Sequence, residues 1–310
     1  MRSKLLEALL SKLEKYLTMD INEICFNKEK ELWIGKNGHY ECLQDEELDE
    51  RFLLNFCEQL ATARNLFFNI QVPHLSCSIP NSRYRVNALH PSITATNTIS
   101  INIRIPSDKK FPLENFKINE NCPYTYEDLK GFMRDKKNIL ISGGTATGKT
   151  SFANSLIEEI DINERIVTVE DSPELSIKNT NKVQIVVSKN EASNYTYEKA
   201  LNDCMRMSPD RLLVGEIDTR NTMLFLRLNN TGHSGSISTL HANSVEDAIY
   251  AITMNTKFSG TNATDETIIQ YFIAAIDYVI QIKRTPQGRE VHSVLDVKRD
   301  LKNILKDKML

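Results

Sequence analysis

Leu5, Leu6, Leu9, Leu10, Leu13 and Leu17 recur at helical spacing among Ser, Lys and Glu, which predicts an amphipathic helix over residues 4–17. Short apolar runs from 21 to 43, broken at 27–30 and 35–38, predict strands joined by turns. Helical period returns over 46–65, with Phe52, Leu53, Phe56 and Leu60 on one face. Leu75, Cys77 and Ile79 alternate, as do Tyr84, Val86 and Ala88. The strict alternation of Ile99, Ile101, Ile103 and Ile105 marks a half-buried strand. Residues 1–105 therefore predict a smaller α+β domain. Pro106, Pro112 and Pro123, with mixed charge between them, predict a linker over 106–123.

Beyond it the pattern changes. Apolar strands at 138–142, 165–169, 183–187, 211–217 and 236–240 are separated by mostly helical stretches, among them 149–160. That alternation predicts a parallel sheet with crossover helices over residues 124–310. It closes with a hairpin of 278–283 and 291–297 turning at 285–288, and a charged tail over 298–310 read as a solvated helix.

Composition narrows the choices. Lysine plus arginine number 38 against 41 aspartates plus glutamates, a net charge of −3, which argues against a dominant non-specific nucleic-acid binder, and no sequence-specific nucleic-acid partner is expected. The six cysteines form no CxxC pair, so a zinc ribbon or thioredoxin-type motif is not expected. The most apolar run, about a dozen residues over 271–282, carries Asp277 and is too short to span a bilayer. A cytoplasmic protein is the expectation. Only 11 of 310 residues are glycine, and six of those fall between Gly143 and Gly235, which marks where the backbone does something special.

The first cluster is the most telling. Gly143-Gly144-Thr145-Ala146-Thr147-Gly148-Lys149-Thr150 fits G-x-x-x-x-G-K-[ST], directly after an apolar strand and at the start of a helix. Such a loop wraps backbone N–H groups around phosphate oxygens at a helix N-terminus. Lys149 would reach the β and γ phosphates, and the Thr150 hydroxyl would ligate Mg²⁺. Two downstream strands end in acids, Glu170-Asp171 and Glu216. In an open α/β sheet, ligands gather at the carboxyl ends of the strands. The segment from Thr231 to Ser244 then brings His233 and His241, too far apart for a metal pair on one helix face.

Four boxes in this order resemble the traffic ATPases of bacterial secretion, a P-loop family. They are the phosphate loop, RIVTVEDSPEL from Arg165 to Leu175 (an Asp box), LLVGEI from Leu212 to Ile217 (a Walker B strand ending in Gly-Glu where Asp-Glu is typical) and the histidine box. The first half matches through Arg83-Tyr84-Arg85 and Ile101 to Pro106. Within the family the resemblance is to VirB-type ATPases of type IV secretion and conjugation. Motors that assemble or retract pili are the alternative, and a nucleic-acid translocase or non-enzymatic nucleotide-binding scaffold the more distant ones.

The resemblance implies a RecA-like ATPase domain behind the α+β domain, and a homohexamer working with ATP and Mg²⁺. It implies peripheral association with inner-membrane components of the secretion apparatus. Nucleotide would be held by Gly143, Gly144, Thr145, Ala146, Thr147, Gly148, Lys149, Thr150 and Ser151, with Arg85 and Arg104 contributing from the first domain and Arg83 a weaker candidate. Glu170 would orient the attacking water, and Glu216 would hold Mg²⁺ or its water shell beside Thr150. His241 would sense the γ-phosphate, and Arg206 would neutralise charge across the ring or within its own chain. The sequence departs from the family pattern at Asp218, where a basic residue is common, and at Ser208, where arginine is. Arg211 and Arg220 are the candidates to replace the lost charge.

Overall fold

The computed structural model describes residues 3–36, 38–106, 111–187 and 195–301. The chain divides into two compact units. The first is Met1–Lys109 with Asp171–Glu174 and Val186–Thr196, and the second is the remainder.

In the first unit, α1 (Lys4–Leu17) is capped by Ser3, whose hydroxyl accepts from the Leu6 N–H at 3.0 Å. It buries Leu6, Leu9, Leu10 and Leu13, while Leu5 faces solvent. Three short strands follow, β1 (Glu23–Lys28), β2 (Glu31–Lys36) and β3 (His39–Gln44), then α2 (Glu50–Ala63). The unit closes with β4 (His74–Ser78), β5 (Arg85–Leu89) and β6 (Ser100–Arg104). The six strands form one antiparallel sheet in the order β3-β2-β1-β6-β5-β4. Its apolar positions join those of α1 and α2 in a single core, which includes all four alternating isoleucines from Ile99 to Ile105.

The second unit opens with β7 (Phe116–Ile118), α3 (Tyr126–Arg134) and β8 (Ile139–Ser142). Strands and helices then alternate through α4 (Lys149–Ile157), β9 (Ile166–Glu170), β10 (Lys182–Val186), α5 (Tyr197–Cys204), β11 (Arg211–Val214), α6 (Thr222–Asn229) and β12 (Ile237–Leu240). Helices α7 (Val245–Phe258) and α8 (Asp265–Ala275) lead into the hairpin β13 (Tyr278–Thr285) and β14 (Gly288–Asp296). One group of strands runs β10-β9-β11 and another β12-β8-β13-β14-β7, and a parallel bridge between Glu216 and Thr239 joins them. Strand β8 is fully buried and pairs in parallel with both β12 and β13. A strand covered on both faces reads as a continuous apolar run, as Ile139-Leu140-Ile141 does. The fold is α/β, with a RecA-like unit after an α+β one.

Two expectations change. Part of the 106–123 stretch is structure of the second unit: β7 pairs in parallel with β14, and Phe116 is fully buried against Phe152 with ring centroids 5.0 Å apart. Leu113 and Phe116 bury too much apolar surface for a solvated spacer. The expected tail helix begins as a short π-helical turn at Val297–Leu301, and its remainder, like residues 107–110, lies outside the described residues. Among the described residues no helix is long and apolar enough to cross a membrane.

Candidate active site

The phosphate loop leaves the buried end of β8 and enters α4. Gly143 is pinned there, because a Cβ on it would stand 2.7 Å from both the Ile282 carbonyl and the Thr147 hydroxyl. The loop turns through Ala146 at φ 59 and Gly148 at φ 96, both left-handed. An alanine held at positive φ is strain of the kind found at ligand clamps. The Thr147 hydroxyl ties the turn to the Gly144 carbonyl at 3.0 Å. Thr145 and Ala146 are exposed, while Thr150 and Ser151 stand half-buried in the first turn of α4.

Lys149 is buried, and its ammonium donates to the carbonyls of Gly143 and Gly144 at 3.0 Å each. It also reaches His241 Nδ1 at 3.3 Å, while His241 Nε2 meets Glu216 Oε1 at 2.9 Å. An ammonium can only donate, so Nδ1 accepts and the imidazole proton sits on Nε2, donating to the carboxylate. The result is a cation–imidazole–carboxylate chain over three boxes far apart in sequence. Adjacent strand ends put it together: the Gly143 N–H donates to the Leu240 carbonyl, and Glu216 bridges Thr239. Asn221, itself buried, fixes the Glu216 carbonyl with a 2.9 Å bond from its amide.

Glu170 ends β9 beside Gly215. It is 2% exposed and accepts from the Leu175 N–H at 2.8 Å and the Thr168 hydroxyl at 3.2 Å. Arg206 is not brought to this end of the sheet. The Arg165 side chain, at the opposite end of β9, holds the Met207 carbonyl at 2.9 Å, so Arg206 lies about a strand's length, roughly 15 Å, from Glu216 of its own chain.

In the first unit, Arg85 and Arg104 face each other across β5 and β6, and Arg85 pairs with Asp171 at 3.0 Å. Arg83 donates to the Glu174 carbonyl at 2.9 Å. The two arginines expected to replace lost charge are otherwise engaged. Arg211 is 1% exposed, forked onto Glu164 at 2.8 and 2.9 Å and bonded to the Met133 carbonyl, so it braces the interior. Arg220 pairs with Asp218 and lies over the Tyr197 ring.

One cation at the loop escaped the sequence reading. Arg289, at the start of β14, lies over the Phe111 ring with 4.9 Å to its centroid, and its Nε stands 2.8 Å from where a Cβ on Gly148 would be. Burial, with the charge of Arg284, pulls its pKa below the usual arginine range. Among the described residues no carboxylate pairs with it. Its only sequence signal is an arginine after a hairpin glycine, about 140 residues past the loop.

Comparison with known proteins supplies the family. The family model for "Type II/IV secretion system protein" matches residues 71–288. The type IV secretion system protein VirB11 of Bartonella henselae is 29% identical over 317 residues, covering 89% of each chain. The probable conjugal transfer protein TrbB of Sinorhizobium fredii is 28% identical over 284 residues, covering 90% of this chain and 84% of that one. Among solved structures, the ATPase DotB of Legionella pneumophila superposes with a TM-score of 0.67 at 18% identity, over 97% of this chain and 83% of that chain, a likeness of fold. With the family match spanning most of a chain whose phosphate loop, strand-end acid and histidine already meet, this chain belongs to the type II/IV secretion system protein family and is a nucleotide-binding ATP hydrolase.

Proposed function

We propose that the chain is the Mg²⁺-dependent motor subunit of a type IV secretion or conjugation system, working as a homohexamer at the cytoplasmic face of the inner membrane and driving export of protein or DNA substrates. The observation that carries this reading is the Lys149–His241–Glu216 chain. A γ-phosphate arriving at Lys149 would draw the ammonium from the loop carbonyls it now holds. The imidazole between Lys149 and Glu216 then makes the acid's position depend on what the lysine binds. That is how a histidine senses phosphate.

The Thr150 hydroxyl and the Glu216 carboxylate are hard oxygen donors, the kind magnesium takes together with phosphate and water. Among the described residues no group of three or more His, Cys, Asp or Glu side chains is assembled to hold a metal alone, which suits an ion carried in largely by nucleotide. The ion would neutralise charge on the transferred phosphate. In the reading, Glu170 orients the attacking water, and Gly143 to Ser151 hold the phosphates. Arg289 contacts nucleotide from β14. Arg206 acts on a neighbouring subunit's nucleotide. Phosphoryl transfer asks for little beyond positioning and charge neutralisation, which these residues supply.

The test is phosphate release by wild type and Glu216→Gln with Mg·ATP, after light scattering on a sizing column. The reading expects a ring of about six subunits, as closed point-group assembly allows. It expects turnover to fall by at least about 10²-fold in the variant with nucleotide still bound. A monomer that binds nucleotide and never turns it over would favour a scaffold instead.

A further inference from the structure

Gly215 stands where the typical strand of this motif carries aspartate. Its backbone does not need glycine: it is not among the residues with positive φ. What it lacks is room. A Cβ at 215 would meet Glu170 Cγ at 3.0 Å, Glu170 Cβ at 3.5 Å and Glu170 Oε1 at 3.5 Å. Parallel pairing of Val214 with Val169 puts the two positions side by side on adjacent strands.

Both neighbours are held by hydrogen bonds. The Glu170 carboxylate is held by the Leu175 N–H and the Thr168 hydroxyl, and its residue is 2% exposed. The Gly215 backbone donates to the Val169 carbonyl at 3.0 Å and accepts from the Thr239 hydroxyl at 2.9 Å. An aspartate at 215 would add a second carboxylate to this buried spot, where two like charges oppose each other's ionisation.

We propose that Gly215 is a positioning residue for Glu170: the missing side chain leaves the Glu170 side chain the room to stand where it does. The catalytic part of this rests on the reading of Glu170 given above, while the steric part does not. A side chain at 215 forces Glu170 to give by a few tenths of an ångström at Cγ, and misplacing a catalytic group costs rate before it costs binding.

Four variants test it: Gly215→Ala, Glu170→Gln, Glu170→Ala and the double Glu170→Ala/Gly215→Ala. In Gly215→Ala, kcat falls by about tenfold, while KM for ATP stays within about twofold. Its melting midpoint drops by several degrees. In the Glu170→Ala background the same change shifts the midpoint by less than about one degree, because the atom it strikes is gone. Wild-type kcat in Gly215→Ala beside an inactive Glu170→Gln would overturn the inference and leave the ATPase reading standing. So would an equal loss of midpoint in both backgrounds. Full turnover in Glu170→Gln would overturn the catalytic role of Glu170, while the midpoint cycle would still decide whether Gly215 makes room for it.

Discussion

Among the described residues Arg289 is a charge without a counter-charge at the candidate phosphate loop. Its guanidinium stands against Gly148 at the positive end of α4, stacked on Phe111, and its neighbour in charge is another arginine, Arg284. Two positive features side by side are unfavourable until an anion joins them. Charged hydrogen bonds of this kind are worth about 1.5–3 kcal/mol. Arg289→Ala should therefore raise KM for ATP by about tenfold or more, with kcat changed far less. An unchanged KM in a steady-state titration would remove Arg289 from the site. The contrast with Lys149 shows what sequence can carry at this scale. Lys149 is legible because the loop carbonyls it holds, those of Gly143 and Gly144, lie within six residues of it, while its contact with His241 spans 92 positions and is not. Arg289 and Gly215 gain their meaning only from atoms on other strands.

At the scale of elements, period was a sufficient guide wherever an element is long and two-sided. The α1 leucines and the isoleucines of β6 declare their buried face in sequence. Strand β7 did not, because three residues are too few to show a period and the flanking Pro112 and Pro123 speak for a linker. Arg211 is a similar case. It opens β11 next to a charge-altered segment and reads as a surface cation, yet it lies in the interior, forked onto Glu164, with Gly235 at φ 81 leaving its guanidinium room. The hydrogen bonds from Arg211, with help from Lys136, hold the Glu164 carboxyl below the usual carboxylate range. A group with a depressed folded-state pKa contributes stability above its unfolded value of about 4.3, and loses it as pH falls through the folded value. Glu164→Gln leaves a buried cation short of its counter-charge and should cost about 3 kcal/mol at neutral pH. Melting midpoints of wild type and variant should then converge as pH falls from about 5 to 3. A gap that stays constant over that range would show that the pair contributes nothing through charge.

At the scale of the whole molecule, each catalytic unit holds a phosphate loop, an acid and a histidine together, but keeps Arg206 at the far end of the same sheet. If Arg206 serves catalysis, it serves another subunit's site. Arg206→Ala and Glu216→Gln should then each be inactive alone, for different reasons: one spoils what a subunit gives, the other what it receives. In a ring of heterologous contacts, an arginine from a Glu216→Gln subunit can meet an intact Glu216 in an Arg206→Ala subunit. Random equimolar mixing makes that pairing at about one interface in four, so mixed rings should recover about a quarter of wild-type turnover if sites fire independently. Recovery scales with the product of the two variants' fractions, so it peaks at equimolar mixing and vanishes when either variant is scarce, and coordinated firing lowers the peak. An arginine acting within its own chain gives no recovery at any ratio, because every subunit then carries a defect in its own site. Phosphate release across a series of mixing ratios, at constant total protein and after confirmed subunit exchange, separates the two curves. The same series shows whether the mixed ring works as independent sites or as one motor.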